Sequence, residues 1–148
     1  MKTSEIRMRD PFVVPRPEEG RYLLFGTTDP DCWNGPGVGF DVYSGKDLEE
    51  WDGPFPAFRP DPGFWGARNF WAPEAHCYGG RGFRLASFKA DGRARATQAL
   101  VADEPTGPYR PHSPEPLTPP GWECLDGTLH VAWDRFIQPL SHARLRVM

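Results

Sequence analysis

The sequence predicts an all-β chain, and three observations carry that expectation. Glycine and proline together supply 34 of 148 residues, from Gly 16 and Pro 18, so helices have little room. Between Pro11 and Gly127 the longest stretch free of both is residues 93–104, barely one helix of average length. Short apolar runs rich in Val, Leu, Phe and Trp recur between these breaks, each followed by a turn signal. Finally, a carboxylate stands at the mouth of three such runs, at Asp10, Glu74 and Asp126, 64 and then 52 positions apart. A period in that range suits blades of a β-propeller, about 40 to 50 residues each plus loops. The chain has room for two blades and the start of a third, and is expected to be incomplete.

The first unit opens at Arg9-Asp10-Pro11-Phe12-Val13-Val14. Pro11 fixes φ and donates no ladder bond, which confines it to a strand's first position or an edge. Asp10 is thereby held just outside an inner strand. Pro15-Arg16-Pro17-Glu18-Glu19-Gly20 is a turn, and Tyr22-Leu23-Leu24-Phe25-Gly26-Thr27 reads as a strand covered on both faces. After the break Gly35-Pro36-Gly37-Val38-Gly39, Phe40-Asp41-Val42-Tyr43-Ser44 alternates as a half-exposed strand should. Asp47-Leu48-Glu49-Glu50-Trp51 is expected to close the unit as a short outer segment.

The second unit repeats this order: residues 71–77, then 82–88, then 97–102, ending on Thr106-Gly107-Pro108-Tyr109-Arg110. A proline-rich connection, residues 111–120, leads to Cys124-Leu125-Asp126-Gly127-Thr128-Leu129-His130-Val131, the third carboxylate strand. Residues 1–131 are therefore read as the N-terminal part of a propeller domain. Residues 132–148 change character, with three arginines and no glycine, and are expected to be an atypical tail, out of frame with what precedes.

Six Trp and ten Phe supply the apolar area that disordered chains lack. A net charge of −3 gives no basic footprint for nucleic acid, and no 18-residue apolar run offers a helical membrane span. The polar start lacks the apolar segment of a signal peptide, and three scattered cysteines contain no CxxC pair, so a cytoplasmic location is expected. His76 beside Cys77 has no further ligands at zinc spacing, and Asp29-Pro30-Asp31 and Asp61-Pro62-Gly63 do not continue into calcium loops. No metal or other cofactor is expected, and a polar small molecule is the better partner.

The stretches Arg9-Asp10-Pro11, Phe70-Trp71-Ala72-Pro73-Glu74 and Leu125-Asp126-Gly127-Thr128 resemble glycoside hydrolase family 43, five-bladed propeller enzymes that cleave arabinose- or xylose-containing polysaccharides with inversion. Phe25-Gly26-Thr27, Ser44-Gly45-Lys46-Asp47-Leu48-Glu49-Glu50-Trp51 and Glu104-Pro105-Thr106-Gly107-Pro108-Tyr109 support the likeness, which covers residues 7–131. The resemblance implies a glycosidase acting on α-L-arabinofuranosyl or β-D-xylosyl linkages of a pentose-containing oligosaccharide or polysaccharide. Carried over by position, Asp10 matches the general base and Asp126 the aspartate that orients the general acid and modulates its pKa. Trp71 falls in a motif that lines the sugar site, with Glu74 beside it. The family's acid is a glutamate of a later blade, and no residue here matches it, so the 148-residue chain alone is expected to be inactive.

The chemistry suits these residue types. Inversion needs one carboxylate to deprotonate water on one face of the sugar while a carboxylic acid protonates the leaving oxygen on the other. An ordinary aspartate is ionised at neutral pH and serves as base; the acid needs a neighbouring negative charge to hold its proton. Taken without the resemblance, Asp10 before proline is a turn-former, Asp126-Gly127 a hairpin or bulge signal, and Trp71 ordinary core. Trp33, Trp51, Trp65 and Trp122 read as packing residues. The alternative function is a non-catalytic carbohydrate-binding propeller.

Overall fold

The computed structural model describes residues 1–129. It comprises two four-stranded antiparallel sheets, each a meander in sequence order. The first contains β1 (Arg9–Arg16), β2 (Arg21–Thr27), β3 (Phe40–Gly45) and β4 (Asp52–Phe58). The second contains β5 (Arg68–Tyr78), β6 (Arg81–Lys89), β7 (Ala96–Ala102) and the two-residue β8 (Arg110–Pro111). The only helical pieces among the described residues are single 3-10 turns, Thr3–Glu5 and Pro17–Glu19.

Proline sorts the strands. Pro11 and Pro15 lie in β1, Pro54 and Pro56 in β4, Pro73 in β5 and Pro111 in β8, all of them sheet edges. The central strands β2, β3, β6 and β7 contain none. An edge strand can omit a donor without leaving a ladder acceptor unpaired, whereas a central strand cannot.

The sheets pack face to face through one aromatic seam. Leu23, Phe25, Phe40, Val42, Ala57 and Phe58 of the first sheet meet Phe70, Ala75, Ala86, Phe88, Leu100 and Ala102 of the second. Phe40, Phe58, Phe64, Phe70 and Phe88 form a cluster with centroids 4.7 to 6.2 Å apart, mostly tilted or edge-on, as ring quadrupoles favour. Tyr109 ties the outer ends together, its amide donating to the Ala57 carbonyl at 2.7 Å.

Arg84 of β6 is fully buried in this seam. Its guanidinium lies 4.7 Å from the Phe25 ring, 4.9 Å from Phe40 and 5.1 Å from Tyr109, and no hydrogen bond reaches its three nitrogens among the described residues. Burial pushes its pKa down to about 10, still charged at neutral pH. Ring faces are its counter-charge.

Four expectations need correction. The outer strand of the first sheet is Asp52–Phe58, not residues 47–51. Asp47 Oδ1 instead accepts the Glu49 and Glu50 amides at 2.8 Å, making a turn, and the Trp51 amide donates to Met1 O. β3 is largely buried rather than half-exposed, because the N-terminal residues Ile6 and Met8 cover its second face over Leu24, Tyr43 and Trp51. Trp33 and Trp122 are exposed, at 54% and 65%, whereas Trp51 and Trp65 pack as expected. Residues 124–129 carry no regular strand, and the atypical tail expected over residues 132–148 lies outside the described residues.

Candidate functional site

The inner strands β1 and β5 run side by side, and at the Asp10 and Glu74 end their ladders are interrupted. Register shifts fall between Arg9 and Phe12, between Arg68 and Trp71, and between Trp71 and Glu74. Such bulges re-aim side chains at the rim of a sheet. Here they turn Asp10 and Glu74 into a shared cavity of about 310 Å³. Its wall consists of Asp10, Pro11 and Phe12 from the first sheet, Ala72, Pro73 and Glu74 from the second, and Asp126 with Gly127 from the segment beyond.

Backbone strain concentrates at this end. Among the described residues four non-glycine residues have positive φ: Asp10 at 49°, Asn69 at 52°, Ala72 at 44° and Asp126 at 56°. Asp10, Ala72 and Asp126 line the cavity. Aspartate and asparagine tolerate this region because their side chains bond locally, but alanine has no such compensation. Strain of this kind, held by surrounding structure, is characteristic of functional sites.

Each carboxylate has a distinct setting. Asp10 Oδ2 accepts the Thr27 hydroxyl at 3.3 Å, and Thr27 Oγ1 in turn accepts the Ala72 amide at 2.9 Å. Gly26, beside Thr27, lets the chain entering β1 lie close, since a Cβ there would run into the Met8 side chain and lie 2.8 Å from the Arg9 carbonyl oxygen. Glu74 Oε1 accepts the Thr128 hydroxyl at 2.6 Å and meets His76 Nε2 at 2.5 Å. The His76 ring packs on Phe12, centroids 5.9 Å apart. Asp126 is anchored through its backbone, its amide donating to Ser87 Oγ at 3.3 Å, while the Cys124 amide donates to Arg95 O at 2.9 Å. Among the described residues no three His, Cys, Asp or Glu side chains converge as a metal site.

Trp71 stands beside the cavity, outside the lining set. Its indole N–H donates to the Cys32 carbonyl at 2.6 Å, and Asn69 Nδ2 donates to the Cys32 and Trp33 carbonyls at 3.0 Å. These bonds hold the β2–β3 loop against β5. The same loop is closed by Asp29, which accepts the Val38 and Gly39 amides, though burial raises its carboxyl above the usual range. Trp33 meets Trp71 edge-on at 4.7 Å, Arg9 lies 4.9 Å from the Trp33 ring, and Arg95 lies 4.3 Å from Trp71. The rim thus sets two touching indoles between two cations.

All four residues singled out in the sequence therefore gather at one end, with Asp10, Glu74 and Asp126 in one wall and Trp71 behind it. Sequence reading gave no site role to Thr27 or Thr128, set His76 aside as lacking further metal ligands, and took Trp33 for a packing residue. Thr27 had a signal, a hydroxyl residue directly after a strand glycine, but nothing in the sequence said that its partner lay on another sheet.

The family model for glycosyl hydrolases family 43 matches residues 3–134. An endo-arabinase from Bacteroides thetaiotaomicron VPI-5482 is 35% identical, with a TM-score of 0.77 over 88% of this chain and 43% of that one. A thermostable family-43 glycoside hydrolase is 25% identical, with a TM-score of 0.69 over 86% of this chain and 38% of its own. A β-xylosidase/α-arabinofuranosidase from a compost microbial metagenome, solved with xylotriose, shares the fold at 20% identity and a TM-score of 0.70. No curated protein matches the chain. The chain spans about two fifths of the length of these solved relatives. The chain belongs to glycosyl hydrolase family 43, and its two sheets are two blades of that family's five-bladed propeller.

Proposed function

We propose that this chain supplies the base-bearing part of an inverting glycosidase that acts on α-L-arabinofuranosyl or β-D-xylosyl linkages. The observation that carries the reading is the convergence of Asp10, Glu74 and Asp126 on one cavity, from three separate segments, with positive φ at two of them. A carbohydrate offers hydroxyls for such a wall and an apolar ring face for the adjacent indoles.

In this reading Asp10 takes a proton from the attacking water, which then displaces the leaving oxygen at the anomeric carbon. Asp126 orients the proton donor and, as a second negative charge, raises that donor's pKa. Glu74 is held through Oε1 by Thr128 and His76, so Oε2 is directed to a sugar hydroxyl. Trp71, fixed on Cys32 O, backs the sugar face. The donor itself is supplied by a later blade.

The test is hydrolysis of nitrophenyl arabinofuranoside and xyloside by the chain joined to the further blades that its relatives carry. Asp10→Asn is expected to lower turnover by about 10² to 10⁴ with folding unchanged, since asparagine also accepts positive φ. Full turnover in that variant removes the base assignment. The 148-residue chain by itself is expected to release no nitrophenol, and measurable release overturns the role given to a later blade.

A further inference from the structure

We propose that Thr27 is the positioning residue for Asp10, coupling the carboxylate on the first blade to the Ala72 backbone on the second. The proposal rests on the base role given to Asp10 above. Thr27 is 3% exposed, so water does not compete for its hydroxyl. A threonine hydroxyl has one proton to give. Because Oγ1 already accepts the Ala72 amide at 2.9 Å, its proton is left to point at Asp10 Oδ2, 3.3 Å away. That distance is long for O–H···O, as catalytic hydrogen bonds often are before substrate binds.

The two ends of this relay are the two strained residues of the cavity wall contributed by the blades, Asp10 at φ 49° and Ala72 at φ 44°. Each sits inside a register shift, where no ladder bond fixes it. Thr27, by contrast, belongs to β2 and stands opposite Arg9 in the ladder. A fixed hydroxyl therefore sets two otherwise unladdered backbones relative to one another. It also occupies Oδ2, which leaves Oδ1 as the oxygen that receives the proton from water.

The test reads the side-chain carboxyl carbons of the 148-residue chain by NMR at fixed pH, the Asp10 signal being identified by its loss in Asp10→Asn. Thr27→Val keeps the shape and removes the hydroxyl. It is expected to displace the Asp10 signal, leave that of Asp126 in place, and speed exchange of the Ala72 amide by roughly fivefold to tenfold, the value of one hydrogen bond. Thr27→Ser is expected to restore both. An Asp10 signal unmoved by valine, or moved equally by serine, overturns the proposal. Should the valine variant not fold, serine decides alone: a wild-type Asp10 signal supports the relay and a displaced one sinks it. Turnover that survives Asp10→Asn removes the base role and leaves the Thr27 contact standing, so the two failures are told apart.

Discussion

The cavity end and the seam between the sheets are built on opposite terms. At the cavity, ladders break, positive φ recurs, and three carboxylates share one wall. In the seam, strands are regular, side chains are buried, and five phenylalanines interlock. The first region is locally unfavourable and the second holds it in place. The contrast is not clean, however, because the seam contains Arg84, whose guanidinium has no hydrogen-bond partner among the described residues. Chemistry and stability are thus separated in space, apart from one buried cation.

The sharpest way to break this comparison is to weaken the seam. Phe88→Ala removes a ring in contact with four other phenylalanines and is expected to cost about 3–5 kcal/mol, measured as a lower denaturant midpoint. A change below 1 kcal/mol would mean the seam does not carry the fold. Arg84→Met tests the exception. Replacing a buried, hydrogen-bond-free charge with an apolar chain of similar length is expected to stabilise by about 1–4 kcal/mol. A loss of stability instead would show that the Phe25, Phe40 and Tyr109 faces more than offset dehydration of the guanidinium. At the other end, Ala72→Gly relieves a left-handed φ, and is expected to stabilise by about 0.5–1 kcal/mol after glycine's own entropy. An unchanged midpoint would remove Ala72 from the strained set.

The smallest effect is spectroscopic. Burial pushes the Tyr109 phenol up to about 12 despite the opposing pull of Arg84. Absorbance at alkaline pH should show a tyrosine titrating near pH 12 that Tyr109→Phe abolishes. The sign follows from linkage: the raised phenol takes stability away only above about pH 10, where the unfolded phenol ionises first, and the loss is complete near 12.

Much of the architecture was legible because proline and glycine punctuate the chain so often. The central strands β2, β6 and β7 coincide with the apolar runs that the sequence offered. The outer strand was missed because Gly53, Pro54 and Pro56 read as breakers, and only position at a sheet edge makes them acceptable. β3 misled for another reason: an alternating pattern announces one covered face, and the cover on its second face comes from residues some thirty-five positions earlier in the chain. At the site, the three carboxylates were visible because each stands where apolar sequence begins, although Glu74 lies inside β5 and Asp126 on no regular strand. Thr27, Thr128 and Trp33 were not, since their meaning lies wholly in partners from other segments.

Arg84 has one more consequence, for how the chain comes apart. Its aromatic enclosure draws on both sheets, so neither sheet owns a finished interior. Cutting the chain within residues 59–67 would yield two halves, one with bare phenylalanines and the other with a wet guanidinium where a ring stack should be. A smaller folded piece is therefore not to be had by trimming a blade: the pair is the least unit in which this sequence can hide its own surface.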